Sequence, residues 1–210
     1  MTTFLVRAQC LVAPPRMGGL RMSNAEALTN FKTKPTNISG ALIIDHKNYH
    51  DDRGNFYEMF HMEQFEKLGL PSKFVQANCS QSTFGVLRGL HIQKKNPQGK
   101  LLKCVVGEIY DVCVDLRPES PTFKRWFGTY LSGNDDTLLY LPEGTAHGFI
   151  CTSGVCVVQY FCTTVYDKES DGGILWNDPE IGVEWPLEPQ TLSDKDKNLP
   201  FLKDWLTKEK

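Results

Sequence analysis

The sequence predicts an all-β protein, an antiparallel sandwich or barrel with a few short peripheral helices. Two observations carry this expectation. From residue 74 onward, short runs rich in Val, Ile, Leu, Phe and Tyr recur with little helical periodicity. Turn residues separate them at Gly107-Glu108, Pro118 to Pro121, Gly133 to Asp136, Pro142 to Gly144 and Ser153-Gly154. Many short strands between such breaks are the signature of antiparallel architectures. The length of 210 residues suits one domain with a full core.

Taken in order, residues 1–35 read as a poorly ordered N-terminal extension ahead of a single domain over 36–210. Its start carries Arg7, Arg16 and Arg21 with no acid before Glu26, so a basic targeting presequence is the other reading. Pro15 and Gly18-Gly19 interrupt any long amphipathic helix there. Residues 41–44 form a short apolar strand, and 46–53 are polar and turn-like, with Gly54 available for a positive φ. A strand over 56–60 follows, then a helix over 62–69 stopped by Gly69-Leu70-Pro71. The remaining strands are expected at 74–76, 86–93, 101–106, 109–116, 126–131, 137–141, 147–151 and 155–164. After Trp176 the chain is irregular and aromatic-rich, and 200–208 closes it with a short helix.

Composition excludes several classes. A net charge of −2 gives no general attraction to nucleic acid or to an acidic membrane surface. No run of 18 apolar residues is present to span a bilayer. The seven cysteines are an odd number, none in a C-x-x-C pair, and Cys104, Cys113, Cys156 and Cys162 sit inside apolar runs. Buried free thiols in a reducing compartment are therefore expected, and with them a cytoplasmic protein.

The chemistry centres on the segment Val86-Leu87-Arg88-Gly89-Leu90-His91-Ile92-Gln93. Side chains alternate along a strand, so Arg88 and His91 fall on opposite faces unless a bulge at Gly89 brings them together. Arg88, His91, Lys100, Asp111, His147 and Tyr160 all interrupt apolar surroundings, as inward polar groups of a ligand-holding barrel would. Each has a structural reading on its own: Asp111 as a bulge cap, His147 bonded to a carbonyl, Tyr160 as a core aromatic. Arg88 and Lys100, with Arg53, favour an anionic ligand such as a diphosphate. The H-x-H pattern by which small β-barrels often bind metal is absent, since Ile92-Gln93 follows His91, and two histidines with one acid for a facial triad are a weak signal. Phosphate-loop, dinucleotide and G-x-S-x-G fingerprints are absent.

Several motifs in order give a more specific reading: DDRGNFYE (51–58), FVQANCS (74–80), GVLRGLHIQ (85–93), QGKLLKCVVGEIYDVCVDLR (98–117), SPTF (120–123), LPEGTAHGF (141–149), WNDP with WPL (176–187) and LSDKD (192–196). Across 42–196 the chain resembles the dTDP-4-dehydrorhamnose 3,5-epimerase family. The resemblance implies a cupin-like antiparallel jelly-roll barrel and a homodimer. It also implies no metal, no organic cofactor, and a dTDP-linked 4-keto-6-deoxy sugar inverted at C3 and C5. It makes His91 the base, Asp196 its carboxylate partner, Lys100 the group favouring the enolate and Tyr160 the opposing proton donor.

Where the family usually has lysine after that tyrosine, this chain has Phe161, and anchoring on Thr163-Thr164 would put Phe161 itself at the acid position. Counting from His147-Gly148-Phe149 forward and from Trp176 backward lands on Tyr160. For binding, the resemblance implies Arg53, Glu58, Gln76, Asn78, Arg88, His147, Asp171 and Lys195 around the nucleotide diphosphate, with Arg53 and Glu58 reaching a partner subunit's site. It also implies functional coupling to a downstream reductase. A single-carbon or UDP-sugar epimerase of the same fold, or a silent nucleotide-sugar-binding protein, is the alternative; the last would lack the base or its partner.

Overall fold

The computed structural model describes residues 29–207; the expected disorder of 1–28 lies outside the described residues. In chain order the elements are β1 (Phe31–Pro35), β2 (Leu42–His46), β3 (Asn48–Asp51), β4 (Gly54–Tyr57), α1 (Met62–Lys67), β5 (Gln76–Thr83) and β6 (Leu87–Gln93). They continue with β7 (Lys100–Val106), β8 (Glu108–Asp115), β9 (Trp126–Ser132), β10 (Thr137–Leu141), β11 (Thr145–Cys151), β12 (Val155–Cys162), β13 (Asp171–Gly173), α2 (Asp194–Lys197) and α3 (Leu202–Thr207). All strand pairings are antiparallel. A six-stranded sheet runs β1-β2-β10-β7-β12-β5, a five-stranded sheet runs β13-β6-β11-β8-β9, and β3 with β4 makes a separate hairpin. The antiparallel architecture is the one that the strand pattern predicts, and the jelly roll is the form that the family resemblance implies.

Two sheets with both faces covered explain why the central strands read as near-continuous apolar runs. Between the sheets, Leu102, Cys104, Leu139 and Val158 meet Ile109, Cys113, Leu131 and Phe149. On β8 the alternate residues Val112 and Val114 face the other way and pack on Ile174, Ile181, Leu202 and Trp205 of the C-terminal segment. Outside the six-stranded sheet, Phe65 of α1 closes over Phe31, Ile44, Leu101 and Leu138. The six described cysteines are free, and five of them are buried.

The expected boundary at residue 35 is corrected. Phe31–Pro35 pairs along its whole length with β2, because Phe31 is buried and meets Phe65 edge-to-face at 5.0 Å. Segment 46–53 is not only a turn, since β3 pairs with β4 across it. The strand expected at 74–76 begins at Gln76 and runs on to Thr83. Its polar residues hid it: the strand is a sheet edge, and Gln76, Asn78, Ser80 and Ser82 line a cavity rather than the core. Among the described residues, no helix is long and apolar enough to cross a membrane.

Candidate active site

A cavity of about 960 Å³ opens between the two sheets. The five-stranded sheet contributes Arg88, His91, His147 and Asp171 to it, and the six-stranded sheet contributes Gln76, Asn78, Lys100 and Tyr160. The C-terminal segment closes one wall with Ser193, Lys195 and Asp196.

A bulge on β6 brings Arg88 and His91 into the same space. His91 stands opposite His147 and Arg88 opposite Phe149, so three steps on β6 match two on β11. Gly89 permits this: its φ is +132°, and a Cβ there would lie 2.5 Å from the Gly148 Cα.

His91 Nε2 lies 2.5 Å from Asp196 Oδ1. Asp196 sits on α2, whose N-cap Ser193 accepts from the Asp196 amide at 3.0 Å. Backbone bonds tie this segment to the start of β6, from Gln190 N to Gly85 O at 2.9 Å and from Leu87 N to Thr191 O at 3.0 Å. Burial alone would raise the Asp196 carboxyl; the hydrogen bond and charge of His91, helped by Ser193 and Lys195, outweigh it and hold the group below the usual carboxylate range. The carboxylate form is therefore favoured beside the imidazole.

A second pair lies deeper. His147 Nε2 is 2.8 Å from Asp111 Oδ2, and Asp111 is fully buried with Oδ1 unpartnered. Burial raises this carboxyl against the pull of His147 and Lys100. Lys100 is itself buried, and desolvation lowers its ammonium below the ordinary lysine value despite Cys162, Cys113, Asp111 and Asp171 around it.

On β12 the alternation separates two neighbours. Tyr160 lines the cavity, whereas Phe161 packs outward on Phe74, ring centroids 6.2 Å apart. Burial pushes the Tyr160 phenol up, Cys162 adds to this and Arg88 opposes it, so the hydroxyl keeps its proton.

At the mouth, Asp171 Oδ2 accepts from Lys195 Nζ at 2.6 Å and from the Tyr166 hydroxyl at 3.0 Å. Gln76 accepts from the Tyr166 amide at 2.6 Å and donates to Asn78 at 3.0 Å. Arg88 Nε donates to Ser82 Oγ at 2.9 Å, and its Nη2 donates to the Gln81 carbonyl at 3.0 Å.

Ten of the twelve residues to which the resemblance gives a catalytic or binding role thus line one cavity. Arg53 and Glu58 do not. Arg53 sits on the β3–β4 turn, its side chain 90% exposed and paired with Asp51, and Glu58 accepts from Asn30 Nδ2 at 2.6 Å. Sequence reasoning missed Tyr166, Gln81 and Ser82. The period-two polar pattern at 76, 78, 80 and 82 was the signal for Ser82; Gln81, which acts through its backbone carbonyl, and Tyr166, in a loop, offered none. Among the described residues no group of three or more His, Cys, Asp or Glu is arranged to hold a metal ion.

The family model described as dTDP-4-dehydrorhamnose 3,5-epimerase matches residues 35–204. The chain belongs to this family. The dTDP-4-dehydrorhamnose 3,5-epimerase of Methanothermobacter thermautotrophicus is 46% identical over 180 residues, 84% of this chain and 97% of that protein. The Salmonella typhimurium enzyme of the same name is 46% identical over 177 residues, 83% of this chain and 97% of that one. Among solved structures of the family, the Legionella pneumophila dTDP-6-deoxy-D-glucose-3,5-epimerase, in complex with dTDP-4-keto-L-rhamnose, superposes with a TM-score of 0.80. It is 43% identical, with 82% of this chain and 93% of that chain covered.

Proposed function

We propose that this member of the family epimerises dTDP-4-dehydro-6-deoxy-D-glucose at C3 and C5, giving dTDP-4-dehydro-L-rhamnose with no metal or organic cofactor. The observation that carries the reading is the His91–Asp196 pair in a cavity that Tyr160 lines from the facing sheet, with a desolvated lysine beside them.

The C4 ketone acidifies the hydrogens on C3 and C5, so each inversion needs a base, enolate stabilisation and a proton donor on the other face. His91 is the base. In this ring orientation Nε2–H donates to Asp196 and leaves the Nδ1 lone pair free; as the imidazolium forms, Asp196 stabilises its charge. Lys100 stabilises the developing enolate oxygen, where a buried ammonium acts more strongly than a solvated one. Tyr160 delivers a proton to the opposite face, so one C–H bond breaks and another forms with inverted configuration. Tyr160 recovers its proton and His91 loses one to solvent before C5 and C3 have both turned over.

Arg88, His147, Gln76, Asn78, Asp171 and Lys195 bind the nucleotide diphosphate. Arg53 and Glu58 complete the cavity of a second copy in a homodimer; that neither lines the cavity of its own chain supports this. The free thiols fit a cytoplasmic protein. The product keeps its ketone, so a reductase is the reaction class that consumes it.

The test is incubation with dTDP-4-dehydro-6-deoxy-D-glucose in deuterated water, following the C3 and C5 protons by NMR. Exchange at both carbons, with an L-rhamnose derivative trapped by a reductase, is the expected result. Exchange at one carbon moves the protein to a single-carbon epimerase. No exchange with dTDP or UDP sugars defeats the enzymatic reading.

A further inference from the structure

Arg88 is an exposed side chain on the five-stranded sheet, yet its guanidinium is anchored on the six-stranded one. Ser82 Oγ accepts from Nε at 2.9 Å and the Gln81 carbonyl accepts from Nη2 at 3.0 Å. The anchor is itself fixed. Ser82 is 6% exposed, its backbone stands in register with Cys156 of β12, and its carbonyl accepts from the Cys151 thiol of β11.

A guanidinium carries five N–H donors in a rigid plane. Nε and Nη2 form one edge of that plane, and this edge is the one turned to Ser82 and Gln81. The opposite pairing, Nη1 with the second Nη2 hydrogen, keeps its two parallel donors free. That end-on fork matches two oxygens of one phosphate. A long side chain held in this way has less rotamer freedom to lose when an anion binds.

We propose that Ser82 is a positioning residue for diphosphate recognition. It clamps the side edge of Arg88 so that the end-on fork is presented to the phosphate. The proposal rests on the epimerase reading for the identity of the anion as part of a nucleoside diphosphate. Ser82 touches no reacting atom, so its effect falls on binding and not on the chemical step.

The experiment measures affinities for inorganic pyrophosphate, dTDP and thymidine by calorimetry, with kcat and KM for the epimerisation, in wild type, Ser82→Ala and Ser82→Thr. Losing a hydrogen bond to a charged group predicts about tenfold weaker pyrophosphate and dTDP binding in Ser82→Ala. KM rises by the same factor, kcat stays within about twofold, and thymidine binding does not change. Ser82→Thr keeps the hydroxyl and returns the values to within about twofold of wild type. A Ser82→Ala protein that binds pyrophosphate as tightly as wild type, or more tightly, overturns the assignment, because the contact then only parks Arg88. Failure of the epimerase reading appears separately, as absent proton exchange in the wild-type protein, and the pyrophosphate ratio between variants still reads the role of Ser82.

Discussion

The imidazole of His91 and the carboxylate of Asp196 lie 2.5 Å apart although 105 residues separate them in the chain. The contact is made by docking a C-terminal segment on the start of β6, and the carboxylate is desolvated, at 4% side-chain exposure. Asp196→Asn keeps the shape and removes the charge. On the proposed mechanism it lowers kcat by about a hundredfold or more, with deuterium exchange at C3 and C5 falling in parallel. Unaltered exchange rates in the variant would remove Asp196 from the chemistry.

Neighbouring Tyr160 and Phe161 should separate function from stability. Tyr160→Phe is expected to spare proton removal more than epimerisation, so exchange into recovered substrate outlasts product formation. Phe161→Ala removes half of an aromatic contact on the outer face and costs about 2–3 kcal/mol of stability, read as a lower urea midpoint. If Phe161→Ala abolished exchange in folded protein while Tyr160→Phe did not, the assignment of the two positions would be reversed.

Lys100 is buried with its ammonium disfavoured by desolvation. Its folded value lies below the ordinary 10.5, so the folded state holds this proton less tightly than the unfolded state and Lys100 opposes folding at neutral pH. Lys100→Met is therefore expected to raise the melting temperature by a few degrees, about 1 kcal/mol, while kcat collapses. In the wild type, activity should fall on the alkaline side before the ordinary lysine range is reached. A destabilised Lys100→Met protein would contradict this.

The Asp115 carboxyl is held down at about 2. Burial opposes this, but Arg117 Nε at 2.8 Å and Nη2 at 2.7 Å, Ser120 at 2.5 Å and Thr122 at 2.6 Å all donate to it. The folded value lies below the ordinary 3.8, so the stabilisation is complete above that value and is lost as pH falls through about 2. The difference amounts to about 2 kcal/mol. Acid unfolding followed by circular dichroism should show Asp115→Asn less stable at neutral pH, with the gap to wild type closing below the ordinary carboxylate value. A gap that stays constant down to pH ~2 would assign the loss to packing instead.

The central strands were legible because their residues are buried on both faces: the strand expected at 137–141 forms as Thr137–Leu141. Edge elements were not. β1 offers one buried residue, Phe31, among exposed ones, and β13 is a three-residue strand held by β6. Such segments gain their structure from neighbours rather than from their own propensity. The cavity residues Arg88, His91, Lys100, His147 and Tyr160 stood out as polar interruptions of apolar runs. Asp196, Gln76 and Lys195 lie in polar stretches, where only the family resemblance marked them. Anchoring on Thr163-Thr164 pointed to 161 and counting from His147 and Trp176 to 160; strand alternation turns Tyr160 to the cavity and Phe161 to the outer cluster.

The proposed base and proton donor ride on different sheets, His91 on one and Tyr160 on the other. The apolar layer between the sheets therefore acts as a spacer, and its thickness sets how far apart the two jaws of the reaction stand. A methyl group trimmed from Leu102, which stands opposite Tyr160 in the ladder, or from Val158 alters that gauge as well as the stability of the fold. Core residues in this barrel are in that sense part of its stereochemistry.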